Sequence, residues 1–267
     1  MNPGRRGTRV AGLGALVSVL LAACGGGGQD TDVPATGASD GSVTGVVTVL
    51  AAASLTESFE ALGDRLEADH PGLDVVFSFG PSSGLAEQVI SGAPADVLAT
   101  ADARTMDQAV QADVVVGEPQ VFARNSLVLI VPTGNPGGVT GLADLARDEL
   151  RIAICEPQVP CGAAAEKLLA AGDVVARPDT YATDVKEALA LVTLDEADAA
   201  LVYRTDAVAA GNAVETVDVP EADEVVNDYP VVELADAPNA DGARLVIEAI
   251  TGEAGRATLG EAGFLLP

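Results

Sequence analysis

The stretch from Val46 to Ser58 reads VVTVLAAASLTES and sets a pattern that the rest of the chain repeats. Its β-branched run predicts a buried strand that ends close to the small residues AAAS. Ser54, with Glu57 three residues later, fits a capping box, so we expect a helix to begin within a few residues of the strand. The first amide groups of a helix have no partner within it and can donate to an outside acceptor.

The remainder of the chain alternates strand-like and helical segments in the same way. Amphipathic or alanine-rich stretches such as LTESFEALGDRLEAD and GAAAEKLLAAG separate the strand-like runs. This alternation predicts an α/β architecture with mostly parallel sheets. Composition alone marks no domain boundary. The strand-like runs are LDVVFSF, ADVLATA, SLVLIVP, RIAIC, DAALVY and YPVVEL.

The N-terminus has the features of a bacterial lipoprotein signal. Three arginines precede an apolar stretch from Val10 to Ala23, and the segment ends in Leu-Ala-Ala before Cys24. The stretch is short for a transmembrane span, so we interpret residues 1–23 as a signal peptide and Cys24 as the lipidated residue. Residues 24–45 are rich in Gly, Ser and Asp and predict a flexible tether. The protein is therefore expected outside the cytoplasm, anchored to the cell membrane through lipid.

The charge of the chain excludes some classes of partner. The net charge is −26, and loss of the three signal arginines would leave −29. Such a surface repels nucleic acid and anionic lipid. With 48% hydrophobic residues, the chain can still build a well-cored globular protein with two lobes.

Two cysteines remain beyond the signal, in the segment CEPQVPC. In an exported protein, Cys155 and Cys161 can close this small loop as a disulfide. The alternative is a pair of buried free thiols, and geometry decides between the two.

Small or hydroxyl residues begin four of the expected helices. Ser54, Ser82 and Cys161 stand at three of these starts, and Asp184 with Glu187 forms a second capping-box pattern. A single cap serves its own helix, so only convergence of these helix starts would make a site.

A catalytic or metal site has weaker support in the sequence. The single histidine, His70, lies in the polar turn EADHPG, which favours an ordinary exposed residue over a catalytic base. Asp96 and Asp102 could ligate a cation, but hydrogen bonding at a strand end is the more common role of such residues. A surface hydrolase is therefore the less favoured alternative to a binding protein.

The chain resembles the extracytoplasmic molybdate-binding proteins of ABC importers. The blocks that carry the resemblance are AAASLTESF, FGPSSGLAEQVISGAPADVLATAD, RNSLVLIVP, EPQVPCG, DVKEALALV and ALVYRTDAV, in the order of that family. The resemblance implies a two-lobed periplasmic-binding-protein fold, each lobe a mainly parallel sheet flanked by helices, with the ligand in the cleft. Lobe 1 would comprise residues 46–124 and 221–267, and lobe 2 residues 125–220.

The resemblance also implies a set of ligand-binding residues. Ser54 and Ser82 match the binding serines of the family, and Tyr203 matches its tyrosine. Cys161 and Val185 match positions that donate backbone amides. The loop EPQVPCG is one residue shorter than the family form and has cysteine where alanine is usual.

The function implied is capture of molybdate, and of tungstate, for an ABC permease in the membrane. The oxyanion would be the transported ligand, held by the five matched residues, without a further cofactor or metal, and the protein would be a monomer. None of the five positions supplies a carboxylate, so a protonated phosphate would be disfavoured. A binding protein for sulfate or another small anion is the alternative.

Overall fold

The computed structural model describes residues 43–267, which form nine strands and eight α-helices. The signal peptide, Cys24 and nearly all of the expected tether lie outside the described residues. The strands are β1 Gly45–Ala52, β2 Leu73–Gly80, β3 Val97–Ala99, β4 Val115–Pro132, β5 Ile152–Cys155, β6 Thr180–Ala182, β7 Ala199–Tyr203, β8 Val214–Val217 and β9 Val226–Leu234. The helices are α1 Thr56–Asp69, α2 Ser82–Ile90, α3 Ala103–Gln111, α4 Pro160–Ala171, α5 Val185–Thr193, α6 Arg204–Ala210, α7 Ala240–Thr251 and α8 Glu253–Glu261.

The strands follow the order β2-β1-β3-β9-β4-β7-β5-β6, and β8 also pairs with β4. We call β2, β1, β3, β9 and the first part of β4 the first sheet, and the rest of β4 with β8, β7, β5 and β6 the second sheet. In the first sheet β1 runs parallel to β2 and β3, and in the second β5 runs parallel to β6 and β7. The fold is the two-lobed α/β fold expected from the sequence, with one lobe on each sheet.

The long strand β4 joins the two sheets. Its residues up to Ser126 pair antiparallel with β9, and from Leu127 onward it pairs antiparallel with β7 and β8. The sequence predicted only the second half of β4, because the first half contains the polar segment Gly117–Gln120, GEPQ, which interrupts the apolar alternation. The register with β9 also shifts there, between Val116 and Gln120. The short strands β6 and β8 were not predicted either.

The topology explains where a site can form. The three parallel strands of each sheet end at the same edge, and in each lobe that edge faces the other lobe. In open α/β sheets, ligands bind in the crevice beyond the carboxyl ends of such strands. The loops that follow β1, β2, β3, β5 and β6, together with the last residue of β7, therefore meet in one cleft.

Among the helices of residues 43–267, none combines the length and the apolar character that crossing a membrane requires.

Candidate anion-binding site

A small cavity lies in the cleft, and all five ligand-binding residues expected from the sequence line it. The cavity volume that is accessible to the centre of a water molecule is about 20 Å³. Ser54 and Ser82 come from the lobe of the first sheet, whereas Cys161, Val185 and Tyr203 come from the lobe of the second sheet. The other lining residues are Ala52, Ala53, Gly80, Pro81, Ala101, Val159, Pro160 and Asp184.

Ser54 does not cap a helix, so the predicted capping box is wrong. Residues Ala53–Leu55 form a single 3-10 turn, α1 begins at Thr56, and neither element has a side-chain cap. The Ser54 hydroxyl instead lies 2.9 Å from the hydroxyl of Tyr229 on β9. The capping box does not form because Ser54 lies inside the 3-10 turn and is the N-cap of neither element, and the Glu57 carboxylate instead contacts Lys186 on α5.

Ser82 is the first residue of α2, and its side chain is 1% exposed. Its Oγ accepts a hydrogen bond of 3.1 Å from the amide of Ala101, which follows β3. A hydroxyl that accepts from a backbone amide keeps its own hydrogen for another acceptor. Ser82 can therefore donate into the cavity.

Cys161 is the second residue of α4, and a disulfide joins it to Cys155 at the end of β5. The two Cα atoms lie 5.7 Å apart, within the range that a disulfide spans. The next residue must be Gly162, because a Cβ atom there would collide with the carbonyl oxygen of Glu156. The loop is thus held against the first turn of α4, and the amides of that turn have no intrahelical partner.

Val185 is the first residue of α5, as the sequence predicted. Asp184 caps the helix by accepting a hydrogen bond of 2.9 Å from the amide of Glu187. The Glu187 carboxylate in turn accepts from the amide and hydroxyl of Thr183 at 2.6 and 2.7 Å. The Val185 amide lies at the start of the helix, beyond the reach of the intrahelical bonds.

Tyr203 is the last residue of β7 and is 2% exposed. Its hydroxyl accepts a hydrogen bond of 2.8 Å from the side-chain amide of Asn227. Burial raises the pKa of Tyr203 well above its ordinary value, so the phenol stays protonated. It is a neutral donor that can face an anion.

Three polar residues behind the cavity were missed by the sequence reasoning. Asn125, Asn227 and Tyr229 are 1%, 7% and 0% exposed and lie on β4 and β9. The Tyr229 ring packs edge-on against Phe122, Phe264 and Tyr203, with centroids 5.3 to 6.4 Å apart. The only signal in the sequence is that polar side chains interrupt two strands where apolar ones would pack.

The electrostatics of the cavity rest on neutral donors. Among the residues of 43–267 that line it, none is Lys or Arg, and the one carboxylate is that of Asp184, whose Oδ1 is engaged in the helix cap. Amides at helix starts carry the positive end of the helix dipole. The arrangement can hold a small anion without a fixed countercharge.

The side chain of Lys186 bridges the two lobes. Lys186 Nζ lies 2.7 and 2.8 Å from the two carboxylate oxygens of Glu57 on α1, and 3.1 Å from Oδ1 of Asp206 on α6. Asp206 is 0% exposed, and burial raises its pKa to about 6 against the opposing effect of Lys186. Burial alone would lower the pKa of Lys186, but the two carboxylates raise it.

The acidic residues considered as cation ligands have structural roles. Asp96 accepts from the amides of Thr48 and Asn239 at 2.7 and 2.6 Å, and Asp102 caps α3 by accepting from Thr105 at 2.8 Å. Within residues 43–267, no group of three or more His, Cys, Asp or Glu side chains is placed to hold a metal ion.

Comparison with known proteins places the chain in a family. Residues 47–265 match the family described as bacterial extracellular solute-binding protein. The molybdate-binding protein ModA of Mycobacterium tuberculosis is 38% identical over 221 residues, which cover 83% of this chain and 85% of that protein.

Solved structures agree with the fold. The periplasmic molybdate-binding protein of Azotobacter vinelandii superposes with a TM-score of 0.69 at 22% identity, covering 83% of this chain and 99% of that one. The sulfate-binding protein SubI of Mycobacterium tuberculosis superposes with a TM-score of 0.72 at 18% identity, covering 82% and 86%. At these identities the structures show a shared fold only. On the family match and the identity to ModA, the chain belongs to the bacterial extracellular solute-binding proteins as a ModA-like member, and it is a binding protein rather than an enzyme, as its sequence predicted.

Proposed function

We propose that the protein captures molybdate outside the cytoplasm and delivers it to an ABC permease, and that it binds tungstate as well. One observation carries the proposal: hydroxyl and amide donors from both lobes converge on one small cavity whose lining residues, within 43–267, include no Lys or Arg. The identity to a molybdate-binding protein supports the same ligand.

The chemistry of the donors matches a fully deprotonated tetrahedral oxyanion. Such an anion only accepts hydrogen bonds, so hydroxyls and amides can satisfy all of its oxygens. We assign the side-chain donors to Ser54, Ser82 and Tyr203, and the backbone donors to Cys161 and Val185. Because these donors are neutral, the site can release the anion when the lobes separate.

Delivery to a permease requires the protein to stay near the membrane. We propose that Cys24 is lipidated after removal of residues 1–23 and that residues 24–45 tether the monomeric folded part. The sequence pattern before Cys24 supports this assignment.

Calorimetric titration of the purified protein with molybdate, tungstate, sulfate and phosphate tests the proposal. Molybdate and tungstate should bind with similar affinity, because they share charge and shape. Ligand at one hundred times its dissociation constant should add about 2.7 kcal/mol of stability and raise the melting temperature. Absence of binding by all four anions would overturn the proposal.

Sulfate is the second candidate. It carries the same charge as molybdate, also only accepts hydrogen bonds, and differs mainly in size, and the fold is shared with a sulfate-binding protein. Competition between sulfate and molybdate at equal concentration decides between them. Displacement of molybdate by sulfate would make sulfate the ligand.

A further inference from the structure

Two buried asparagines behind the cavity are oriented by backbone groups. The Nδ2 atom of Asn227 lies 3.0 Å from the carbonyl oxygen of Ala101, which can only accept. The Oδ1 atom of Asn125 lies 3.1 Å from the amide of Ser126, which can only donate. Each asparagine therefore faces a backbone group that can only accept or only donate, and this group fixes which side-chain atom is nitrogen and which is oxygen.

The orientation of Asn227 decides the role of Tyr203. The same Nδ2 atom lies 2.8 Å from Tyr203 Oη, so the tyrosine must accept from it. The single hydrogen of the phenol then has to point elsewhere, and Tyr203 lines the cavity. With Asn227 donating to its oxygen, Tyr203 has its hydrogen available for a ligand.

Asn125 has the corresponding effect on Ser54 through Tyr229. Its Nδ2 donates to the hydroxyls of Thr205 at 2.9 Å and Tyr229 at 3.4 Å. The Tyr229 hydrogen is then left for Ser54 Oγ, 2.9 Å away. A phenol is also a stronger donor and a weaker acceptor than an aliphatic hydroxyl, which favours the same direction. Ser54, having accepted, keeps its own hydrogen to donate into the cavity.

We propose that Asn227, and Asn125 acting through Tyr229, are positioning residues that occupy one side of the Tyr203 and Ser54 oxygens, direct their hydrogens into the cavity, and thereby favour fully deprotonated over protonated oxyanions. Ser82 is oriented in the same way by the Ala101 amide. With all three hydrogens directed into the cavity, an anion that carries a hydrogen of its own meets donors where it needs an acceptor. This inference rests on the proposed function, since it concerns the selectivity of that site.

The test compares molybdate with inorganic phosphate at pH 8, where phosphate retains one proton. Dissociation constants are measured by calorimetry for molybdate and by competition against molybdate for phosphate, in wild type, Tyr229→Phe and Asn227→Leu. Tyr181→Phe is the matched control, because Tyr181 is 53% exposed and does not line the cavity.

In Tyr229→Phe the Ser54 hydroxyl loses the group that orients it, so a lone pair can turn towards the ligand in place of the hydrogen. The ratio of the phosphate to the molybdate dissociation constant should fall by about 10-fold or more. Phosphate gains an acceptor for its proton, and molybdate loses an ordered donor. Asn227→Leu should change the ratio in the same direction through Tyr203, and Tyr181→Phe should not change it. The difference in size between the two anions is the same in every variant and cancels.

A purely structural role for these residues would weaken both anions equally and leave the ratio unchanged, which would overturn the inference. If Asn227→Leu does not fold, Tyr229→Phe decides alone, because it removes a single oxygen and keeps the ring packing. Failure of wild type to bind molybdate would instead overturn the proposed function, so the two failures are distinguishable.

Discussion

Lys186 Nζ lies 2.7 Å from Glu57 Oε1, and this ion pair connects the helix that follows β1 to the helix that follows β6. The two helices belong to different lobes, and both begin at the cavity. A second contact across the cleft, from the Arg104 guanidinium to the carbonyl of Gln158, measures 2.9 Å. Charged side chains at the rim of the cleft therefore connect the two lobes.

We expect Lys186→Met to weaken molybdate binding by about 10-fold, equivalent to roughly 1.4 kcal/mol. The substitution removes the contact across the cleft and leaves the Glu57 carboxylate without its cation. The loss should be mainly a faster dissociation rate, measured by stopped flow. Lys167→Met is the matched control, because Lys167 is the only other lysine of the sequence and lies exposed on α4. Equal effects of the two substitutions would show that Lys186 affects binding only through the net charge of the protein.

Asp206→Asn should stabilise the protein at neutral pH but not in acid. Because the folded-state pKa of Asp206 is raised from 3.8 to about 6, the folded state holds its proton more tightly than the unfolded state. The contribution of protonated Asp206 to the free energy of unfolding is complete below about pH 4 and is lost as pH rises through 6. The free energy of unfolding differs by about 3 kcal/mol between the two limits. Urea unfolding of both proteins between pH 4 and pH 8 measures it. A stability difference independent of pH would contradict the raised pKa.

Val185→Pro should remove a single donor while leaving the helix in place. Proline is tolerated at the first position of a helix, and the backbone of Asp184 is already extended, with φ −153° and ψ 178°. A hydrogen bond to a charged acceptor is worth roughly 1.5 to 3 kcal/mol, so affinity for molybdate should fall by about 10 to 150-fold. Calorimetry measures the affinity, and the melting temperature without ligand verifies the fold.

Val185→Ala is the control for this substitution, since it shortens the side chain and keeps the amide. It should bind molybdate almost as tightly as wild type. A proline variant that folds and binds within twofold of wild type would remove Val185 from the site.

Ser54→Ala should reduce affinity for molybdate by more than 10-fold while lowering stability only moderately. The variant loses a ligand donor, and the buried hydroxyl of Tyr229 loses its partner, at a cost of about 1 kcal/mol of unfolding free energy. No loss of helix capping is expected, because Ser54 caps neither element at that junction. Ser83→Ala, one residue beyond a cavity residue but outside the lining, should leave the affinity unchanged.

The double substitution Cys155→Ala and Cys161→Ala should lower stability and largely keep binding. Closing a loop of this length is worth about 2 kcal/mol by the chain-entropy relation. Cys161 is assigned as a backbone donor, so the amide survives the change. Chemical unfolding and calorimetry measure the two effects, and loss of binding in a folded variant would show that the disulfide shape is needed at the site.

The sequence by itself was sufficient for the α/β class, and its resemblance to a known family indicated the five residues that meet in the cavity. Apolar runs bounded by small residues mark the strand ends, and parallel strands of one sheet end at one edge, so residues that follow them are neighbours in space. The Asp184 cap was also predictable, because a cap involves residues three positions apart.

Only the tertiary structure decided the partners of those residues. Ser54 matched a capping box in sequence, yet its hydroxyl contacts Tyr229, which is 175 positions away. Asn227 reaches Ala101, 126 positions away, and Lys186 reaches Glu57, 129 positions away. A local pattern records contacts within a few residues along the chain. The direction of a hydroxyl and the charge at the rim of the cleft depend on groups that only the packing of two lobes brings within hydrogen-bonding distance.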